Sequence, residues 1–307
     1  MPPAILVYCM QGTSWATIEK TPAIGEEVLG VASLRERLTD PRILVAVGAH
    51  DGLTATLAER AGLEAIYQGG YAVAAHHHGL PDIGLVGLSD VAESLRRISA
   101  VSTIPVIVDA DTGYGSEPGV RRSVLELESA GAAAVQIEDQ VFPKRCGHME
   151  GKTVIPRDDM VLKVRAAVEA RRNPETVIIA RTDALQMNGL DDAIDRCNAY
   201  AEAGADVTFV DAPRSREHLE EIARRVNGPK LSNMSETGRT PPLTADELQE
   251  LGYSIVIFPS TQTWLFARVY QDLLEELVAT GTSMGMRERM MPFDDVNELL
   301  GLARWQA

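Results

Sequence analysis

Eight short apolar runs, most of them rich in β-branched residues, recur along the chain, and helical stretches separate them; this alternation constrains the fold most. The runs are 43–47, 65–68, 106–109, 134–138, 177–181, 207–210, 230–233 and 255–258. Between them the pattern predicts helices over 53–61, 117–130, 190–203 and 243–251, each closed by a glycine (Gly62, Gly131, Gly204, Gly252). Further helices are predicted over 89–98, with Ser89 as the cap, 157–171 and 214–226. The stretch holding His76, His77, His78 and Asp82 reads as a loop. Strands that are apolar along their length, rather than alternating, are those buried on both faces of a parallel sheet. Eight such units predict a (β/α)8 barrel of the α/β class. A doubly wound sheet is the rival, but it usually has fewer units and fewer polar residues at every strand end.

The barrel accounts for most of the chain as one domain: an N-terminal extension over 1–32, the barrel over 33–260 with a short helix from Ser33, and C-terminal helices over 261–307. No repeat, low-complexity tract or interdomain linker interrupts it. A net charge of -15 argues against a broad nucleic-acid or anionic-membrane surface, although a local cationic pocket can still take an anionic small molecule. The apolar run at the start is too short to span a bilayer and lacks a basic flank, so neither a signal peptide nor a membrane span is expected. Cys9, Cys146 and Cys197 are scattered and lack metal spacing, which points to a reducing cytosol.

In such barrels chemistry gathers at the C-terminal ends of the strands. Those ends carry His50 and Asp51, Gly69 and Gly70, Asp109 and Asp111, Glu138, Arg181 and Asp183, Asp211, and Asn233. The stretch from Val135 to Lys152 is the densest: it begins as a strand and continues as a polar loop holding Glu138, Asp139, Lys144, Arg145, Cys146 and His148. Asp109, Asp111, Glu138 and Asp139 are hard oxygen donors without clustered His or Cys, which favours Mg²⁺, or Mn²⁺, over zinc. The alternative is that these carboxylates cap the following helices. Cys146 lies among Lys144, Arg145 and His148, cations that lower a thiol pKa and suit it to proton transfer; the alternative is a buried structural cysteine, the reading preferred for Cys197. Arg181 at a strand end suits a carboxylate or a developing oxyanion, or else pairs internally with Asp183 or Glu138. Gly69-Gly70 would let backbone N–H groups approach an anion. Three consecutive histidines cannot all face one ion in regular structure, so His76–His78 are expected to serve a loop or surface role.

Lys144-Arg-Cys-Gly-His148, with Asp109-Ala-Asp111, Glu138-Asp-Gln140, Ala180-Arg-Thr-Asp-Ala184, Gly79-Leu-Pro-Asp82 and Asn233-Met-Ser-Glu236, resembles the isocitrate lyase/phosphoenolpyruvate mutase superfamily over roughly residues 40 to 270. The likeness is strongest to its 2-methylisocitrate lyases, dimethylmalate lyases and carboxyphosphonoenolpyruvate mutases. The resemblance implies a Mg²⁺-dependent carbon–carbon lyase that cleaves a 2-hydroxy di- or tricarboxylate to a 2-oxo acid such as pyruvate plus a second acid. It also implies a homotetramer with exchanged C-terminal helices. By matched position it assigns Asp82, Asp109, Asp111 and Glu138 to the metal. It makes Cys146 the proton-transfer residue, with Lys144, His148 and Arg181 beside it. The substrate pocket would be lined by Tyr67, Gly69, Gly70, Tyr71, Arg145, Gly147, Asp211, Asn233 and Ser235. Gly69 stands where methylisocitrate lyases commonly carry Ser and Asp211 where they carry Glu, and arginines expected near Trp264 and Val296 are missing. A phosphonate-forming mutase, an oxaloacetate-cleaving hydrolase and a non-catalytic ligand-binding barrel are the other readings.

Overall fold

The computed structural model describes residues 33–147 and 149–306. The predicted extension, with Cys9, and His148 lie outside the described residues. Eight parallel strands close in sequence order into a barrel: β1 (Leu44–Gly48), β2 (Ala65–Gln68), β3 (Val106–Asp109), β4 (Ala134–Glu138), β5 (Val177–Thr182), β6 (Val207–Val210), β7 (Lys230–Asn233) and β8 (Ile255–Phe258). Helices pack outside it, as the alternating pattern requires.

Alternation along each strand sorts the side chains. Leu44 and Ala46, Ala65 and Tyr67, Ile107, Ala134, Val177 and Ile179, Val207 and Phe209, Leu231, and Ile255 and Ile257 form one buried cluster filling the interior. The other parity, including Ile66, Val108, Val135, Ile137, Ile178 and Ala180, packs under the helices. Continuing the inward parity past the apolar layers reaches Gly69, Asp109 and Asp111, Glu138, Arg181 and Asp183, Asp211, and Asn233. Register brings two of them together, since Glu138 on β4 pairs with Arg181 on β5. Close packing shows at Gly48, where an added Cβ would lie 2.3 Å from the Pro259 carbonyl oxygen.

Three expectations are corrected. The segment after Gly69 is helical: Gly70–Val73 runs into a π-helical turn over Ala74–His78, ended by Gly79 in the left-handed region. Its small apolar residues Ala72, Val73 and Ala74 are buried, and that packing is why it is not a loop. Ser89 does not cap the helix Leu88–Ser99; Gly87 holds the cap position and its N–H donates to Asp90 Oδ2 at 2.9 Å. Asp139 does not join the carboxylates at the barrel mouth. Its outward parity turns it beneath the helix Leu190–Glu202, where it accepts hydrogen bonds from Thr182 Oγ1 (2.7 Å), the Asp183 N–H (2.9 Å), Tyr200 OH (2.8 Å) and Arg196 Nη1 (3.1 Å).

Candidate active site

The inward strand ends and the loop after β4 line a small, polar cavity that holds about 50 Å³. Its walls include Tyr67, Gly69, Tyr71, Asp82, Asp109, Glu138, Lys144, Arg145, Cys146, Gly147, Arg181, Asp211 and Asn233, most of the residues expected from sequence. Gly70 and Asp111 stand just behind, an added Cβ at Gly70 lying 3.2 Å from Asp111 Oδ1. Ser235 is buried outside the lining, and Arg145 is an exposed side chain whose Nη1 donates to the Glu150 carbonyl in its own loop.

Arg181 is held by carboxylates on three sides. Its Nε and Nη2 bond Asp183 at 2.8 and 2.9 Å, Nη2 reaches Asp211 Oδ2 at 3.1 Å, and Nε lies 3.3 Å from Glu138 Oε2. Phe209 supports the guanidinium from below, its ring centroid 5.3 Å from Cζ. Burial works against the charge, but Asp183, Asp211 and Glu138 outweigh it and hold Arg181 well above the ordinary arginine range. The internal ion pair and the binding role were set against each other in the sequence; the structure contains the ion pair, in the wall of the cavity.

Lys144 Nζ sits between Asp82 Oδ1 (2.5 Å) and Asp111 Oδ1 (2.7 Å). Those carboxylates, with Asp109 and Glu138, keep the ammonium charged despite burial. Burial, reinforced by Asp109 and Asp82, pushes the Asp111 carboxyl up to about 7 against the pull of Lys144. Burial likewise raises Glu138 well above the carboxylate range. Asp111 also has a left-handed backbone (φ 49°), a strained geometry for a non-glycine residue that recurs at functional sites.

Among the described residues no three His, Cys, Asp or Glu side chains converge as a ready-made ligand set. The chemistry of the donors still fits a hydrated divalent cation. Asp82, Asp109, Asp111 and Glu138 outnumber the single ammonium among them, and Glu138 Oε1 is buried with no hydrogen-bond partner. Mg²⁺ keeps several waters and commonly takes only one or two carboxylates directly, the others acting through water.

The loop after β4 has a defined shape. A bridge between Gln140 and Val154 closes its base. The Gln140 amide clamps the loop by donating to the Arg145 carbonyl and accepting from the Arg145 N–H, both at 2.9 Å. The Cys146 N–H donates to the Asp82 carbonyl at 3.1 Å, which brings the thiol residue to the cavity wall. At Gly147 an added Cβ would lie 2.3 Å from Asp211 Oδ2, so only glycine permits the approach. Tyr67 OH accepts from Gln136 Nε2 at 2.9 Å, leaving its own proton for an acceptor in the cavity. Cys197 is fully buried in its helix, as expected.

Gln136, Gln140, Lys152 and Phe209 were missed as site residues. Gln136 and Phe209 were legible by parity, which turns both inward. Lys152 was signalled only indirectly, by inward carboxylates at 183 and 211 that needed a second cation.

A family model described as phosphoenolpyruvate phosphomutase matches residues 34–278. The chain is 42% identical over 273 residues to 2,3-dimethylmalate lyase of Eubacterium barkeri, covering 89% of this chain and 94% of that protein. It is 45% identical over 268 residues to 2-methylisocitrate lyase of Aeropyrum pernix, covering 87% and 86%. Among solved structures, 2,3-dimethylmalate lyase superposes with a TM-score of 0.84 at 39% identity, covering 90% of this chain and 93% of that one. Phosphonopyruvate hydrolase, in its complex with oxalate and Mg²⁺, superposes with a TM-score of 0.81 at 28% identity, covering 89% and 95%.

Proposed function

The chain belongs to the phosphoenolpyruvate phosphomutase family, and on that premise we propose that it is a carbon–carbon lyase cleaving a 2-hydroxy dicarboxylate of the dimethylmalate type. The observation that carries this reading is that Cys146, Arg181, Lys144 and the Asp109/Glu138 carboxylates all face one cavity. A cavity of that kind can hold a carboxylate, stabilise a developing oxyanion and deliver a proton to carbon. Arg145, Lys144 and Arg181 are the only cations among the described residues in its wall, and Arg181 already meets three carboxylates. That supply suits a dicarboxylate better than a tricarboxylate.

Asp82, Asp109, Asp111 and Glu138 would hold Mg²⁺, directly or through water; when bound, the cation supplies Lewis-acid polarisation of the substrate's oxygens. The chain's residues do the remainder. Arg181 and Tyr67 face negative charge as it develops on oxygen, already oriented by Asp183 and Gln136, so little reorganisation is needed. A base in the cavity takes the substrate's hydroxyl proton, the adjacent carbon–carbon bond breaks, a carbonyl forms on one fragment, and the bonding electron pair passes to the other. Cys146 delivers a proton to that carbon. Asn233 Oδ1, buried in the wall without a hydrogen-bond partner, is an acceptor for a substrate hydroxyl.

The test is 2-oxo acid release across 2,3-dimethylmalate, 2-methylisocitrate, isocitrate and citramalate with Mg²⁺. Release from the dimethylmalate type, lost with EDTA and reduced at least about a hundredfold in Cys146→Ala, is expected. Near-normal turnover by Cys146→Ala would remove the thiol from the mechanism. Silence across the panel, with oxaloacetate cleaved instead, would replace the lyase reading by the hydrolase one.

The assembly proposed is a homotetramer built through the C-terminal helices. The helix Thr261–Thr280 leaves Leu265 61% and Val278 89% exposed, and beyond it Phe293 is 81% and Trp305 76% exposed. We place the protein in the cytosol on its cysteine usage; no helix among the described residues is long and apolar enough to cross a membrane.

A further inference from the structure

Lys152 stands on the returning limb of the loop that carries Cys146, and its side chain is 1% exposed. Its ammonium makes three contacts: the Gly147 carbonyl at 2.7 Å, Asp183 Oδ1 at 2.7 Å and Asp211 Oδ2 at 3.3 Å. The first acceptor belongs to the residue after Cys146. The other two belong to the ends of β5 and β6. A single ammonium therefore spans the outgoing limb of the loop, the returning limb and the barrel mouth.

The same two carboxylate oxygens also hold Arg181, whose Nη2 lies 2.9 Å from Asp183 Oδ1 and 3.1 Å from Asp211 Oδ2. Lys152 thus shares the load of both carboxylates, and Arg181 keeps part of its charge for a ligand. Asp183 and Asp211 hold the ammonium charged despite its burial. At Gly147 the loop lies against Asp211 and the Arg181 guanidinium with no room for a side chain, so small displacements there translate directly to Cys146.

We propose that Lys152 is a positioning residue for this site, seating the Cys146 loop on the ends of β5 and β6 through the Gly147 carbonyl, and orienting Arg181 through Asp183 and Asp211. The kinetic part of this rests on the lyase reading; the seating part does not. Lys152 touches no reacting atom and acts through its neighbours.

Two readouts separate these parts. The first is the rate at which iodoacetamide alkylates Cys146, followed on the Cys146 peptide by mass spectrometry at a pH high enough that ionisation no longer limits the rate. The second is steady-state kinetics on the hydroxy acid that the wild type cleaves. Lys152→Met is expected to speed alkylation by about tenfold as the loop loses its seat. It should lower kcat by about a hundredfold, the scale of an ångström misplacement. Lys152→Arg, which restores a cation, should alkylate more slowly than Lys152→Met; equal acceleration in both would overturn the role of the charge. Should Lys152→Met not fold, Lys152→Gln carries the same expectations. Alkylation and kcat within about twofold of wild type in a folded variant, whatever its Tm, would reduce Lys152 to packing and overturn the proposal. A wild type inactive on every hydroxy acid would instead sink the lyase reading, and the alkylation result would still decide the seating.

Discussion

At the scale of the residue, His50 shows how a side chain at the barrel mouth can be structural. It is buried after β1, its ring stacked on His76 with centroids 3.5 Å apart, and its Nε2 lies 3.3 Å from Asp51 Oδ2. His77 Nε2 contacts the His50 carbonyl at 2.8 Å, and His76 Nε2 meets Thr263 Oγ1 at 3.2 Å. Burial, with His76 and His77 nearby, pushes His50 down to about 4, the pull of Asp51 notwithstanding. His76 is lowered as well, chiefly by burial. The sign follows from proton counting. Below about pH 6.5 the unfolded chain binds a proton that the folded one refuses, so stability falls as pH drops towards the folded value. The expected outcome is a Tm that falls more for wild type than for His50→Gln between about pH 7 and about pH 5. Parallel pH curves for the two proteins would show that His50 is not buried neutral. The histidines were read from sequence as a loop or surface group because three in a row cannot converge on one ion. The stacking of His76 on His50, 26 positions away, has no local signal.

At the scale of the element, each strand is a two-sided part whose faces are set by parity. Adjacent carboxylates on β4 and just after it show the consequence: Glu138 faces the cavity and Asp139 faces the helices. Asp139 gathers four donors from β5, the turn after it and the helix Leu190–Glu202, including the Arg196 guanidinium. Removing a buried charge and stranding its partners is expensive, so Asp139→Ala should cost about 3–5 kcal/mol, read as a lower urea midpoint. An unchanged midpoint would mean that this tie between helix and strand carries no stability. Parity made most of the site legible, since Tyr67, Asp109, Glu138, Arg181, Asp211 and Asn233 all continue inward rows. Only the resemblance could bring in Asp82, which lies on no strand and reaches the cavity through its contact with Lys144.

At the scale of the whole molecule, the C-terminal helices leave apolar surface that the barrel does not cover. Exposed apolar patches of this kind mark interfaces. Replacing Val278 and Phe293 together by Glu should shift the light-scattering mass in solution from that of the proposed tetramer to smaller species. A wild type that is monomeric in solution, or a double variant that stays tetrameric, would rule out this face as the contact.

What was already written in the linear chain is everything with a period. Apolar runs with helices between them imply parallel strands buried on both faces, and the period of two along each strand fixes which residues reach the mouth. The loop from Lys144 to Lys152 has no period, and its conformation depends on groups far away in sequence. Cys146 is placed by the Asp82 carbonyl, Gly147 by Asp211, and Lys152 by Asp183 and Asp211. Those contacts exist only once the barrel has closed and brought β4, β5 and β6 side by side, because a buried charge is stable only where its partners have already been assembled.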